Sequence, residues 1–273
     1  IFKNLYSNFF KKMSSFSSLS DQILDFIKKD ISIRNLKKVF IIYEGQPYQK
    51  NIILYLKKSL RSINVIGYDH SAPPALPLNL FYDGCSPDKL LITGKEQSQF
   101  YKRYLNWPKS KLKIIPSFRF KNEKKSFFQN RIFLPFELDD KITFLKNLEI
   151  LVKLNMIRNI KDFEIKIHPL GLKLKEHIEF ARNIRQMIKK NKISNNLKDK
   201  NNSIFIGQTT AIIVALESNF KCYHVCSNPI FDSYSPKLWT SLTVKKLSNN
   251  LFLYELKKKN SFIKKGYNNE KIF

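Results

Sequence analysis

An imidazole, a pair of hydroxyls and a carboxylate stand where short apolar segments of this chain end. His168 closes Asp162-Phe163-Glu164-Ile165-Lys166-Ile167-His168-Pro169, whose apolar residues alternate as in a half-buried strand. Pro169 pushes the histidine backbone toward an extended form and ends the element. Thr209 and Thr210 follow Ser203-Ile204-Phe205-Ile206-Gly207-Gln208, a second apolar strand closed by glycine. A helix opening there turns unpaired amides and hydroxyls toward one spot, which is phosphate-binding chemistry. His168 would donate to that phosphate and stabilise a leaving group, with Lys166 on the same strand face. Glu44, held by a Gly45 turn at the tip of another strand, is placed to act as a general base. Asp69 and His70 form a further polar strand end, on the acceptor side. Helix capping at Thr209, a backbone-satisfied His168 and a plain surface Glu44 are the structural alternatives.

The elements that would position these residues alternate in type. Strands are expected at Val39–Tyr43, Ile63–Tyr68, Leu90–Thr93 and Leu112–Ile115. Helices are expected over 20–27, 49–60 and 98–105, with the proline-rich segment 72–77 as a rigid loop. The polar, basic stretch 121–129 lacks periodicity and is expected to be a linker. A second series follows: strand 131–135, helix 139–154, the His168 strand, helix 178–188, a polar loop over 195–202, strand 204–206, a helix from Thr209, strand 222–225 and a last strand at 251–254. Such alternation predicts an α/β fold with two Rossmann-like lobes, residues 1–125 and 126–273, each built on a parallel sheet. Ligands in open α/β sheets bind beyond the carboxyl ends of the strands, where Glu44, His70, His168 and Thr209 all fall. His177, within a helix, and His224, inside an apolar strand, read as structural.

Bulk properties narrow the classes. With 273 residues, 43% of them hydrophobic, the chain can bury a sizeable core. Its 49 Lys+Arg against 22 Asp+Glu give a formal charge of +27, a field that attracts phosphates, nucleic acid or an anionic membrane surface. The excess is scattered, with small clusters such as Lys257-Lys258-Lys259, so specific nucleic-acid binding is not expected. Cys85, Cys222 and Cys226 have no zinc-like spacing, and Asp-x-Asp is absent, so neither metal nor cofactor is expected. Neither GxGxxG nor GxxxxGK[ST] occurs, which leaves dinucleotide oxidoreduction and P-loop hydrolysis without support. No apolar run approaches the roughly 18–20 residues of a membrane span. The N-terminus lacks the apolar core of a secretion signal, and a chain opening on Ile1 reads as a fragment. The expected location is cytoplasmic, with peripheral contact at the inner face of an anionic membrane.

Two short motifs carry a resemblance. Lys166-Ile167-His168-Pro169 resembles the HP motif, and Ile206-Gly207-Gln208-Thr209-Thr210-Ala211 the small-hydroxyl motif, of GT-B glycosyltransferases of bacterial surface polysaccharide synthesis. The CMP-sugar-dependent members, the bacterial sialyltransferases and Kdo transferases of capsule assembly, are the most similar. Gly67-Tyr68-Asp69-His70-Ser71 and the stretch from Pro87 to Gly94 are also similar to proteins of this type. The resemblance implies a metal-independent transferase that moves a sugar from a nucleotide-activated donor to a polysaccharide or lipid-linked glycan. It places His168 on the donor phosphate with Thr209 and Thr210, and the base on Tyr43-Glu44-Gly45. The chain departs from the pattern by having one acidic residue there instead of two. It departs again at Val214, where many members have a glutamate, the nearest being Glu217. A nucleotide-sugar 2-epimerase shares the two-lobed architecture but would need more carboxylates than Glu44, Asp69 and Glu137. A basic nucleic-acid-binding protein is the third reading, predicting steeply salt-dependent binding.

Overall fold

The computed structural model describes residues 15–29, 36–60, 63–118, 120, 127–154, 156–157, 160–190 and 201–264. It contains two compact units, one comprising residues 1–71, 77–93 and 97–115, the other 72–76, 94–96 and 116–273.

Among the described residues the first unit holds helix α1 (Ser15–Lys29), then β1 (Lys38–Ile42), α2 (Pro47–Ser59), β2 (Asn64–Asp69) and β3 (Lys89–Ile92). Helix α3 (Lys95–Tyr104), which belongs to this unit from Gln97 onward, and β4 (Leu112–Ile114) complete it. The strands pair in parallel in the order β1-β2-β3-β4. Strands β2 and β3 are nearly continuous apolar runs because both of their faces are covered, as parallel strands require. At the carboxyl end of β1 the chain turns through Gly45, whose φ of +69° is open to glycine at little cost. A Cβ at Gly45 would lie 2.2 Å from the Asn79 carbonyl oxygen, so no larger residue fits. Gln49 braces this turn: its Oε1 accepts from the amides of Glu44 (2.9 Å) and Gln46 (3.0 Å), and its Nε2 donates to the Ile42 carbonyl (2.8 Å).

The end of β2 is held by a buried carboxylate. Asp69 accepts from the Ser71 amide (2.8 Å) and hydroxyl (2.6 Å), from Gln97 Nε2 (3.0 Å) and from the Tyr101 hydroxyl. Burial pushes this carboxyl above its ordinary range, against the downward pull of the Ser71 and Tyr101 donors.

The second unit holds β5 (Arg131–Phe133), α4 (Lys141–Lys153), β6 (Glu164–Lys166), α5 (Lys175–Lys190), β7 (Asn202–Ile206) and α6 (Ala211–Glu217). These are followed by β8 (Lys221–Val225), α7 (Pro229–Asp232), β9 (Leu242–Ser248) and β10 (Leu251–Leu256). The sheet order is β6-β5-β7-β8-β10-β9. Strands β5 to β8 are parallel, whereas β10 runs antiparallel to both β8 and β9. The expectation of a purely parallel second sheet is therefore corrected: it is mixed. The reason is local. Only Asn249 and Asn250 separate β9 from β10, and so short a connection closes an antiparallel hairpin and no crossover. The sequence reading missed β9 because Lys245 and Lys246 interrupt its alternation.

One face of this sheet, with Ile132, Ile165, Ile204, Ile206 and Val225, packs on Phe144, Leu148 and Leu151 of α4 and Phe180, Ile184 and Ile188 of α5. On neighbouring strands Phe133 and Phe205 stack at 4.9 Å, a cross-strand aromatic pair. The expected linker over 121–129 is corrected at its end: Phe128 is fully buried, 5.8 Å from Phe133 and 6.0 Å from Phe220, and its carbonyl accepts from the Ser203 hydroxyl. Residues 121–126 lie outside the described residues. The proline-rich segment is likewise fixed, because Tyr234 donates to the Ala72 carbonyl (2.9 Å) and Trp239 Nε1 to that of Pro73 (3.1 Å). Among the described residues no helix is long and apolar enough to cross a membrane.

Replacing Asp69 by Ala strands four donors beneath the surface. Stability in urea is expected to fall by at least ~2 kcal/mol, and a loss below about 0.5 kcal/mol would show that this network does not hold the end of β2.

Candidate functional site

In the second sheet the connection from β5 leads outward to β6, whereas β7 lies on the other side of β5 and leads on to β8. The winding direction thus reverses between β5 and β7. A crevice opens at such a reversal because the loops leaving the two strands diverge. A cavity of about 910 Å³ lies there, lined by residues of the second unit alone. Its walls are the loops that follow four parallel strands: Leu134 to Asp139 after β5, Ile167 to Pro169 after β6, Gly207 to Thr210 after β7, and Ser227 with Asp232 after β8. Phe120, Phe127, Phe128, Phe133, Phe136 and Phe144 supply an aromatic surface. The volume and the mixture of aromatic and polar lining suit a small organic ligand.

His168 is partly buried on this cavity. Its Nδ1 accepts from the Leu170 amide at 3.3 Å, so the ring hydrogen sits on Nε2, which is left as a donor. The Phe136 ring lies 5.7 Å away. Lys166 also lines the cavity, but its ammonium is engaged by Glu164, which Arg131 holds from another side at 2.9 Å. The Lys166 hydrogen bond, followed by Arg131, keeps the Glu164 carboxyl below its ordinary range.

Gly207 ends β7 with φ of +65°, and a Cβ there would lie 2.8 Å from Pro135 Cγ. This left-handed residue turns the chain sharply enough to start α6 four residues later. Thr209 Oγ1 accepts from the Ala211 amide (3.2 Å), while Thr210 stands at the helix N-cap without a side-chain capping bond. Gln208 Nε2 donates to Asp232 Oδ1 (2.6 Å), and Asp232 Oδ2 accepts from the Ser227 hydroxyl (3.1 Å) and the Asn228 amide (2.9 Å). Thr210, His168 and the rest of the Gly207–Thr209 loop thus line one volume. Against them stand three carboxylates, the exposed Glu137 and Asp139 and the buried Asp232. No family model matches the chain and no curated protein matches it in sequence.

The structure gathers Lys166, His168, Pro169, Gly207, Gln208, Thr209 and Thr210 around one cavity. Glu44, Asp69 and His70 belong to the first unit. Glu44 is exposed, and its carbonyl accepts from Asn79 Nδ2 at 2.6 Å. Asp69 is committed to the internal network described above, and His70 stacks on Tyr68 at 6.0 Å. Val214 lines the cavity, whereas Glu217 is buried and accepts from the amides of Asn260, Phe262 and Ile263. Burial pushes the Cys222 and Cys226 thiols up, Cys226 to about 12, which leaves both unreactive. Among the described residues no group of three or more His, Cys, Asp or Glu is disposed to hold a metal.

Sequence reasoning missed Asp232, Phe127, Phe128 and Phe136. Asn228-Pro229 was a readable signal for the first, since an Asn N-cap followed by Pro marks a helix start. The phenylalanines follow no period and could be found only by packing.

Burial lowers His224 from its ordinary 6.5 to about 4. An unfolded chain then takes up a proton below pH 6.5 that the folded chain refuses until about pH 4. This contribution is complete above 6.5 and is lost as pH falls through that window, by about 3 kcal/mol in all. A His224→Gln variant is expected to lack this slope. Urea titrations at intervals between pH 7 and 4 check it, and parallel pH profiles for the two proteins would contradict it.

Proposed function

We propose that this protein is a metal-independent glycosyltransferase that takes a nucleotide-activated sugar, a CMP-sugar by preference, and transfers the sugar to a glycan of a bacterial surface polysaccharide. The observation that carries the reading is the cavity at the strand reversal, where His168 Nε2 and the Gly207–Thr210 loop converge. Directed N–H and O–H donors suit a phosphate whose charge grows as it departs. The phenylalanine surface suits the flat face of a base. Glu137 and Asp139 at the cavity can accept from sugar hydroxyls.

In this reading the two units are the lobes of a GT-B enzyme, with the donor on the second and the acceptor on the first. Glu44 removes the proton from the acceptor hydroxyl as its oxygen bonds to the anomeric carbon. The bond from that carbon to the phosphate oxygen breaks, and the nucleotide leaves with the electron pair, its charge met by His168 and the Thr209–Thr210 segment. The exposed carboxylate of Glu44 on a braced turn supports the role of base. Asp69 and His70 stand on the acceptor side, Asp69 as a support for the strand end. The enzyme would work in the cytoplasm, against an anionic membrane that presents a lipid-linked acceptor.

Nucleotide release from CMP- and UDP-sugars, measured with oligosaccharide acceptors, tests the proposal. Release with a CMP-sugar is expected. Glu44→Gln is expected to lower kcat by about 10²-fold or more, and His168→Ala by about 10²–10³-fold. The absence of release from any donor, or equal release by wild type and Glu44→Gln, would overturn it. UDP-GlcNAc isomerised without an acceptor would favour the epimerase instead.

A further inference from the structure

Two buried histidines touch the walls of the cavity without lining it. His224, on β8, contacts the carbonyl oxygen of Gly207 through Nε2 at 2.9 Å, and its Nδ1 lies 3.3 Å from the Tyr254 hydroxyl. That hydroxyl accepts from the Tyr234 amide at 3.1 Å. The amide can only donate and the Gly207 carbonyl can only accept. The Tyr254 hydrogen therefore turns to Nδ1, and the imidazole hydrogen sits on Nε2, pointing at Gly207. Every group in this chain has one consistent role.

His177, in the first turn of α5 and fully buried, holds a carbonyl of the other wall through one ring nitrogen, while its Nδ1 has no hydrogen-bond partner among the described residues. Its Nε2 donates to the Phe136 carbonyl at 2.8 Å, and its ring stacks on that of Phe136 at 6.3 Å. Across the ring lies Gly171, in the turn that follows His168-Pro169. A Cβ at Gly171 would come within 2.6 Å of His177 Cδ2 and 2.9 Å of Nε2. One imidazole therefore ties the loop after β5 to the turn that carries His168. A phenyl ring, somewhat larger and without an N–H, would leave the Gly207 or the Phe136 carbonyl without this donor. Packing alone does not account for imidazoles here.

We infer that His177 and His224 are the positioning residues of this cavity: His224 fixes the Gly207–Thr210 loop through its N–H bond to Gly207, and His177 fixes Phe136 through its N–H bond and the turn after His168 by packing against Gly171. The inference rests on the reading of the cavity as a nucleotide site only in the choice of ligand used to probe it.

The test compares His177→Phe, His224→Phe and the donor-retaining His177→Gln and His224→Gln in the whole chain, by amide hydrogen exchange, thermal melting and CMP binding. His224→Phe is expected to speed exchange at 207–211 by about 10-fold, to weaken CMP by a similar factor, and to leave exchange in β1–β4 unchanged. His177→Phe is expected to act in the same way on 134–139 and 167–171. Gly171→Ala, which crowds the imidazole, should reproduce its effect. The Gln variants should restore both loops and affinity even where the melting temperature stays low. If the Phe variants do not fold, Gly171→Ala and the Gln variants carry the comparison. Loop exchange and CMP affinity that follow only the melting temperature, with no rescue by Gln, would overturn the inference. A wild type that binds no CMP, but whose loops respond as described, would reject the nucleotide reading and retain the positioning roles.

Discussion

The second unit depends on how β7 ends. Ile206 is buried in the sheet, and the next residue must turn out of it at once for α6 to begin at Ala211. Gly207 does this in the left-handed region, with Pro135 so close that a Cβ has no room. Its amide still donates to the Val225 carbonyl at 2.8 Å, so the strand is paired to its last residue before the chain departs. Its carbonyl is taken by His224. A turn held at both its polar groups and closed by sterics has one conformation, and a loop with one conformation can present donors without an ordering cost when a ligand arrives.

The charge of the protein and the charge of its cavity point in different directions. The chain carries +27 overall, yet the cavity is lined by Glu137, Asp139 and Asp232 against Lys166, whose ammonium already meets Glu164. A phosphate in this cavity would be recognised by directed hydrogen bonds rather than by a basic field. That difference matters for selectivity. A diffuse positive surface draws any polyanion and loses it in salt, whereas a few aimed N–H and O–H groups tolerate salt and select shape. In the proposed reading the scattered lysines would serve attraction at long range, and the cavity would decide what is kept.

Much of the fold was legible because its strands are written as unbroken apolar runs closed by punctuation. Val39 to Tyr43 before Glu44-Gly45, and Ile204 to Ile206 before Gly207, show both parts of that signal. The residues from Lys166 to Pro169 and Gly207 to Thr210 that line the cavity were legible for the same reason: loops leaving a parallel sheet gather at one edge, so reading where strands stop is reading where a crevice can form. What escaped has equally physical causes. Strand β9 hides its period behind Lys245 and Lys246, and the hairpin it makes with β10 turns a parallel sheet into a mixed one. Phe127 and Phe128 sit in a polar stretch, and Phe128 is placed by contacts with Phe133 and the distant Phe220, which no local pattern encodes. His177, from its place within a helix, and His224, from its apolar strand, read as structural in the sequence. That is correct for their burial, but it overlooks the carbonyls they hold.

The most direct measurement of the central claim is a crystal structure with CMP bound. The account predicts the phosphate at the β5–β7 crevice, within hydrogen-bond distance of His168 Nε2 and of the Thr209–Thr210 segment, with the base against the phenylalanines and the Gly207 turn unmoved. CMP bound outside this cavity, or bound within it with its phosphate turned away from both His168 and the loop, would contradict it.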